Sequence, residues 1–324
     1  MLHSWHPQDP RVYQIAALAG LFGYGVIWLD FAVSGVQTVV LLATVLLTQA
    51  LCSRLWQLPT YDPRSALISG LSLCLLLRTN DLALTALTAG ITIVSKFVIR
   101  WHGKHIFNPT NFGLVAMMLG TGQVWVSPGQ WGSVAFFAFF MACCGGLVVY
   151  RAARSDVTYA FLVCHIALRF GRAFWLGDPV SIPLHQLQNG ALVLFAFFMI
   201  SDPKTTPDTR LGRILFAGLV ALAAWYVQFV WYWGNALLWA LAGVTLTVPF
   251  LDWLLPGRRY AWPQTGDLST RMECTSPPNP LLPATASAED RLIKGGPFPA
   301  SATAEGRQFN GAPSLWERPK VRGR

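Results

Sequence analysis

Charge is what this chain has least of. Asp, Glu, Lys and Arg make up only 12% of 324 residues, about half of what a soluble domain carries. Acids are scarcer than bases, 15 against 24, leaving a formal charge of +9. So little charge excludes a polar, disordered chain and argues against nucleic acid as the partner that the basic balance addresses. Cysteine is nearly absent: Cys52, Cys74, Cys143, Cys144, Cys164 and Cys274 show no CxxC or zinc spacing. Five of the six lie in apolar runs, where the thiol is a small hydrophobe, and only Cys143-Cys144 forms a pair. HExxH, GxSxG, Walker A and GxGxxG are all missing, so no residue is nominated as catalytic. The opening MLHSWHPQDPR has neither a basic n-region nor a small-residue cleavage site, so the first apolar run is expected to stay in the chain.

Apolar residues are abundant, at 53%, with a mean hydropathy of +0.44. They fall into ten runs, roughly 12–29, 32–52, 65–77, 82–99, 110–120, 133–150, 157–174, 185–200, 211–230 and 236–255. The expected fold is an all-α polytopic membrane protein with about ten transmembrane helices over residues 1–256. The third and fifth runs are too short to cross about 30 Å of hydrocarbon and read as half-helices. Loop charge sets the orientation. With both termini cytoplasmic, the inner side carries Arg11, Arg54, Arg64, Lys96, Arg100, Lys104, Arg151, Arg154, Lys204, Arg210, Arg213, Arg258 and Arg259. The outer side keeps Arg78, Arg169 and Arg172. Thirteen against three is the asymmetry of a bacterial inner-membrane protein with N and C termini inside.

Run three, ISGLSLCLLLRTNDLAL, and run eight, LQNGALVLFAFFMISDPKT, share an early glycine (Gly70, Gly190) and a closing aspartate (Asp81, Asp202). Two repeats of five helices, about 12–120 and 133–255, would be inverted relative to each other. Inverted repeats with broken helices place binding sites near the membrane midplane. Past Pro256, nine of the 21 prolines crowd residues 257–324 with Gly, Ser and Ala, which reads as a disordered cytoplasmic tail.

Two polar constellations interrupt the apolar pattern. SKFVIRWHGKHIFNPTNFG (95–113) ends a helix in Lys96, Arg100, Lys104, His102 and His105, then breaks at Asn108-Pro109. Asn108 is placed to cap the short helix that follows. SDPKTTPDTRLGR (201–213) is broken by Pro203 and Pro207 and supplies Asp202, Lys204, Thr205 and Thr206. Both loops fall on the inner side and are expected to face each other across one pocket. Cations beside Thr hydroxyls suit a phosphate or a flavin edge. The bland alternative is that these charges only mark the inner interface. His165, mid-helix, is read as a structural hydrogen-bonding group. His102 and His105 lack the carboxylate or thiol that would complete a metal site, so no metal is expected. The tryptophans near run ends read as interfacial belts.

FNPTNFG (107–113), NGALVLFAFFMISDPKTTPDTRLGR (189–213) and TVPFLDWLLPGRRY (247–260), in this order and spacing, resemble the NqrB/RnfD family over residues 10–260. The family comprises membrane subunits of sodium-pumping quinone reductase and of the Rnf electron-transport complex. The resemblance implies ten helices in two inverted repeats and an electron-transport role beside other redox subunits. Family members of the pumping complexes carry FMN esterified to a threonine in a long outer loop after the fifth helix, in a motif similar to D-G-x-[ST]-x-A-T. Here that loop, TGQVWVSPGQWGS (121–133), has one threonine, Thr121, and no such motif. Run eight likewise reads Gln188-Asn189-Gly190-Ala191-Leu192 where relatives show S-G-A-T. A covalent FMN site is therefore not expected, and the chain is similar to stand-alone RnfD-like proteins found beside enediyne-type biosynthesis genes. The cofactor expected is FMN or riboflavin held non-covalently by Lys96, Arg100, His105, Asn108, Asn189, Asp202, Lys204, Thr205 and Thr206. The protein would act at most as one subunit of a membrane oxidoreductase. An ion or solute transporter on the same scaffold, or a membrane anchor for a biosynthetic or redox partner, are the readings left open.

Overall fold

A computed structural model describes residues 9–28, 31, 33–58, 61–126, 155–187, 189–257 and 260. The sixth apolar run, the Cys143-Cys144 pair and nearly all of the expected tail lie outside the described residues. Within them the chain is helical: α1 (Pro10–Trp28), α2 (Gly35–Leu55), α3 (Arg64–Leu76), α4 (Leu82–Val98) and α5 (Pro109–Thr121). The second half follows with α6 (Ser155–Leu176), α7 (Ser181–Leu187), α8 (Gly190–Leu194, continued as a π-helical turn over Phe195–Met199), α9 (Arg210–Phe229), α10 (Ala236–Thr245) and α11 (Val248–Leu254). Four two-residue strands complete it: β1 (Leu77–Arg78) pairs with β4 (Trp125–Val126), and β2 (Arg100–Trp101) with β3 (Lys104–His105), both antiparallel.

By length and hydropathy α2, α6 and α9 can each cross a membrane. The pairs α7/α8 and α10/α11 pass the same test together, bent by 54° and 46° at their breaks. Runs eight and ten are thus corrected from single helices to broken ones. The second break falls before Pro249, which cannot donate to a preceding turn. The outer faces are apolar in the way lipid demands. On α9, Leu211, Leu215, Leu219 and Leu222 form a stripe 42–55% exposed, while Val220, Ala221 and Ala224 behind it are buried. This is an integral membrane protein.

Small and hydroxylated residues let the helices approach. α2 packs on α3 and α4, and α4 on α5; in the second half α6 packs on α9, and α9 on α10. At Gly70 a Cβ would lie 2.9 Å from the Val45 side chain, so glycine sets the α2–α3 approach. Thr85, Thr88 and Thr92, all fully buried, line one face of α4, with Thr85 and Thr88 returning their hydroxyls to Asp81 and Leu84 carbonyls. The π turn of α8 loosens its own ladder, and neighbours take up the carbonyls it releases. Thr158 on α6 donates to Ala196 O at 2.8 Å, and Ser201 to Phe197 O at 2.6 Å. Phe161, Phe195 and Phe216 fill the core beside it, with the Phe161 and Phe195 rings 5.1 Å apart.

Candidate functional site

Between the α4–α5 loop and the α8–α9 loop lies a cavity of about 180 Å³. Its chemistry begins with Lys96, two residues before the end of α4. The side chain is 5% exposed, and its ammonium donates to Gln49 Oε1 on α2 at 3.0 Å. An ammonium has three donors, so the amide leaves capacity directed at the cavity. Asn108 comes next: its side chain accepts from Asn111 N at 3.2 Å, capping α5 ahead of Pro109. Its amide nitrogen reaches back to Met199 O at 3.4 Å and Asp202 Oδ2 at 3.5 Å. The π turn therefore serves the site too, because the Met199 carbonyl meets a donor from the first half of the chain.

Asp202 is held by its own loop, accepting from Lys204 N at 3.0 Å, while its carbonyl takes the amides of Thr205 and Thr206. Among lining residues three cations (Arg11, Lys96, Lys204) face one carboxylate, Asp202. Arg11 is already engaged by Asp9 and Asp62, at 2.8 and 2.5 Å. His105 closes the cavity from β3. Burial, with Arg100, Lys96 and Lys204 nearby, pushes its imidazole down to about 4, so the ring is neutral at pH 7. Its Nδ1 is buried and makes no hydrogen bond among the described residues. Lys204 is also lowered by burial, with Asp202 opposing that shift.

Five of the nine residues chosen from the sequence, Lys96, His105, Asn108, Asp202 and Lys204, line this cavity. Arg100 does not: it is exposed, bonds the Lys96 carbonyl through Nε, and stacks its guanidinium over Phe97 at 5.4 Å. Thr205 and Thr206 are buried behind the cavity wall, Thr205 bonded to Asp202 O at 3.3 Å. Asn189 stands at a different cavity, where it caps α8 by accepting from Ala191 N at 2.9 Å. Sequence reasoning misses Gln49, Ser65, Ser69, Ser72 and Arg11. Serines spaced 65, 69 and 72 along α3 are one helical face, a signal visible in the sequence but indistinguishable there from helix-packing hydroxyls. Thr121, the one threonine of the loop after α5, gives its hydroxyl to Met117 O at 2.7 Å.

A second feature ties the loops together. The β2–β3 hairpin turns at His102 and Gly103, both with left-handed φ (48° and 81°). It presents Lys104 to Asp208 at 3.0 Å and Asp252 at 2.6 Å, and Asp208 N also donates to Asp252 Oδ1. The strand that carries His105 is thereby clamped to the loop just before α9 and to the body of α11.

A helical bundle with broken helices and a cation-lined polar cavity between two of its loops defines an integral membrane protein with a candidate binding site. Residues 121–261 match the model of the NQR2, RnfD, RnfE family. The chain is also 31% identical over 147 residues to the RnfD component of the ion-translocating oxidoreductase complex of Citrobacter koseri, covering 44% of this chain and 38% of that protein. With the RnfD component of the same complex from Alcanivorax borkumensis it shares 33% identity over 88 residues, 26% of each chain. The Escherichia coli RnfD component is 32% identical over 135 residues, 40% of this chain and 36% of that one. The chain is thus similar to the NQR2, RnfD, RnfE family over residues 121–261, and spans 26–38% of the length of these curated relatives.

Proposed function

We propose that this protein is an RnfD/NqrB-like subunit of a bacterial inner-membrane electron-transport complex, working beside other redox subunits. In this reading residues 1–256 form ten spans as two inverted five-helix repeats, with both termini cytoplasmic. The observation that carries the redox assignment is the cavity itself. In a chain related to RnfD proteins, five polar residues from two broken-helix loops converge on one space at one end of the bundle.

The lining suits a flavin, FMN or riboflavin, held without a covalent bond. Lys96 and Lys204 would face an anionic reduced ring or a phosphate, and Asn108 and the unpartnered His105 Nδ1 would meet its carbonyl and imide edge. Asp202 would hold Asn108 in place and balance part of the lysine charge. Bound flavin supplies one- and two-electron chemistry; the protein's part is binding, orientation and exclusion of water.

The test is the absorbance spectrum of the detergent-purified protein, before and after denaturation with acid. Flavin bands that leave with the supernatant support the reading, and Lys96→Met should lower the bound fraction about tenfold or more. A colourless protein that binds neither added riboflavin nor FMN rejects it.

A further inference from the structure

A second cavity, of about 290 Å³, lies at the other end of α3: the first is lined by Ser65 and Ile68 near the helix start, this one by Leu76, its last residue. The two are built alike. In the first, a cation near the end of α4 (Lys96) is held by an amide on α2 (Gln49). In the second, an amide near the end of α9 (Gln228) meets a cation on α6 (Arg169), with Nη2 donating at 2.7 Å. α6 packs on α9 as α2 packs on α4, so the lysine–amide pair recurs as an arginine–amide pair with its members exchanged. Asn108 before α5 and Asn235 before α10 line the respective cavities from matching places.

Arg169 is the only ionised group lining the second cavity among the described residues. Nε donates to His165 Nε2 at 2.8 Å, Nη1 to Gln186 Oε1 and Nη2 to Gln228 Oε1. All three acceptors are neutral. A guanidinium has five N–H donors, so one on each terminal nitrogen is left over, and a carboxylate or phosphate oxygen is an acceptor suited to them. Asp178, the acid just past the end of α6, pairs instead with Arg172 at 3.6 Å. The remaining walls include Leu192, Phe195, Trp233 and Leu237. A half-buried cation fixed by neutral groups against apolar walls, with two donors to spare, is poised for an oxyanion that brings an apolar body.

We infer that this cavity binds an amphipathic carboxylate, with Arg169 gripping the carboxylate and the apolar walls taking the rest. A lipid phosphate could supply the same oxyanion. The site is independent of the flavin reading, because it shares no residue with it except Met199.

Calorimetric titration of the detergent-purified full chain with benzoate and decanoate, at constant ionic strength with chloride as reference, tests it. A parallel arm compares thermal midpoints in nanodiscs of phosphatidylcholine with and without phosphatidylglycerol. Carboxylate binding that Arg169→Gln weakens about tenfold or more, while Arg172→Gln leaves it unchanged, supports the site. Stabilisation by phosphatidylglycerol alone, with the same dependence on Arg169, supports the site and assigns it to a lipid headgroup. Should Arg169→Gln fail to fold, Arg169→Lys keeps the charge without the fork and is expected to bind at least several-fold more weakly. A wild-type chain that responds to none of these probes, or variants that respond equally, overturns the inference.

Discussion

Replacing Lys104 by Met should loosen the cavity from a distance. The ammonium bridges Asp208 and Asp252, with the three side chains only 7–19% exposed, so none of these charges is well hydrated. Removing the lysine loses two charge-assisted contacts and leaves two carboxylates facing each other across the Asp208 N to Asp252 hydrogen bond. For a partly buried pair broken from one side, the loss is about 2–5 kcal/mol, well above the ~0.5 kcal/mol of a surface pair. The hairpin adds nothing to offset this, since β2 and β3 pair over only two residues each. SDS-titrated unfolding of the purified protein measures the change. Hydrogen exchange across residues 100–105 should rise in parallel. A double-mutant cycle with Asp252→Asn isolates the pair and should return a coupling of about 1–3 kcal/mol. A destabilisation below about 0.5 kcal/mol, or a coupling near zero, would refute the clamp and reduce Lys104 to interfacial charge.

His105 makes stability depend on pH. At 6.5 when unfolded and about 4 when folded, it stays neutral in the fold while the unfolded chain takes up a proton. Stability should therefore be full above pH 6.5 and fall as pH drops toward 4; in His105→Gln the slope of midpoint against pH in that window should flatten. Gly113 faces Thr92 so closely that a Cβ would sit 1.9 Å from its hydroxyl. Gly113→Ala must push α5 off α4 and should cost about 1–3 kcal/mol in the same unfolding assay, with Gly90→Ala, which meets nothing within 4 Å, as a near-neutral control. Arg64, 5% exposed, joins Asp9 and Asp62 at the start of α3, so Arg64→Gln should let the first turn of α1 fray and open it to trypsin at Arg11. Full protection in that variant would show the network to be dispensable.

Much of the bundle is legible in the residue order. Helix runs, the shortness of runs three and five and the Asn108-Pro109 cap are consequences of hydropathy, backbone geometry and neighbouring residues, all local quantities. The break within run ten is written in Pro249, although unbroken hydropathy on both sides of it disguises the bend. Convergence of five site residues is foreseeable only as far as two proline-broken loops of like charge suggest it.

Which side chain meets which is settled by packing alone. Arg100 looks like Lys96 in sequence, yet α4 ends at Val98, between the two, and Arg100 on β2 is exposed while Lys96 inside the helix meets Gln49. Lys104 finds partners 104 and 148 residues away, and Arg169 finds Gln228 59 away. A polar group in an apolar bundle must be satisfied by whatever helix lies beside it, and that neighbour is chosen by the whole arrangement of helices. Residue order dictated that the chain would seek a membrane and that its backbone would break at Asn108-Pro109 and around Pro203. Only the assembled helices decided that those breaks border one cation-bearing cavity and that Arg169 stands in a second, because charge in a low-dielectric interior is defined by its neighbours rather than by its place in the chain.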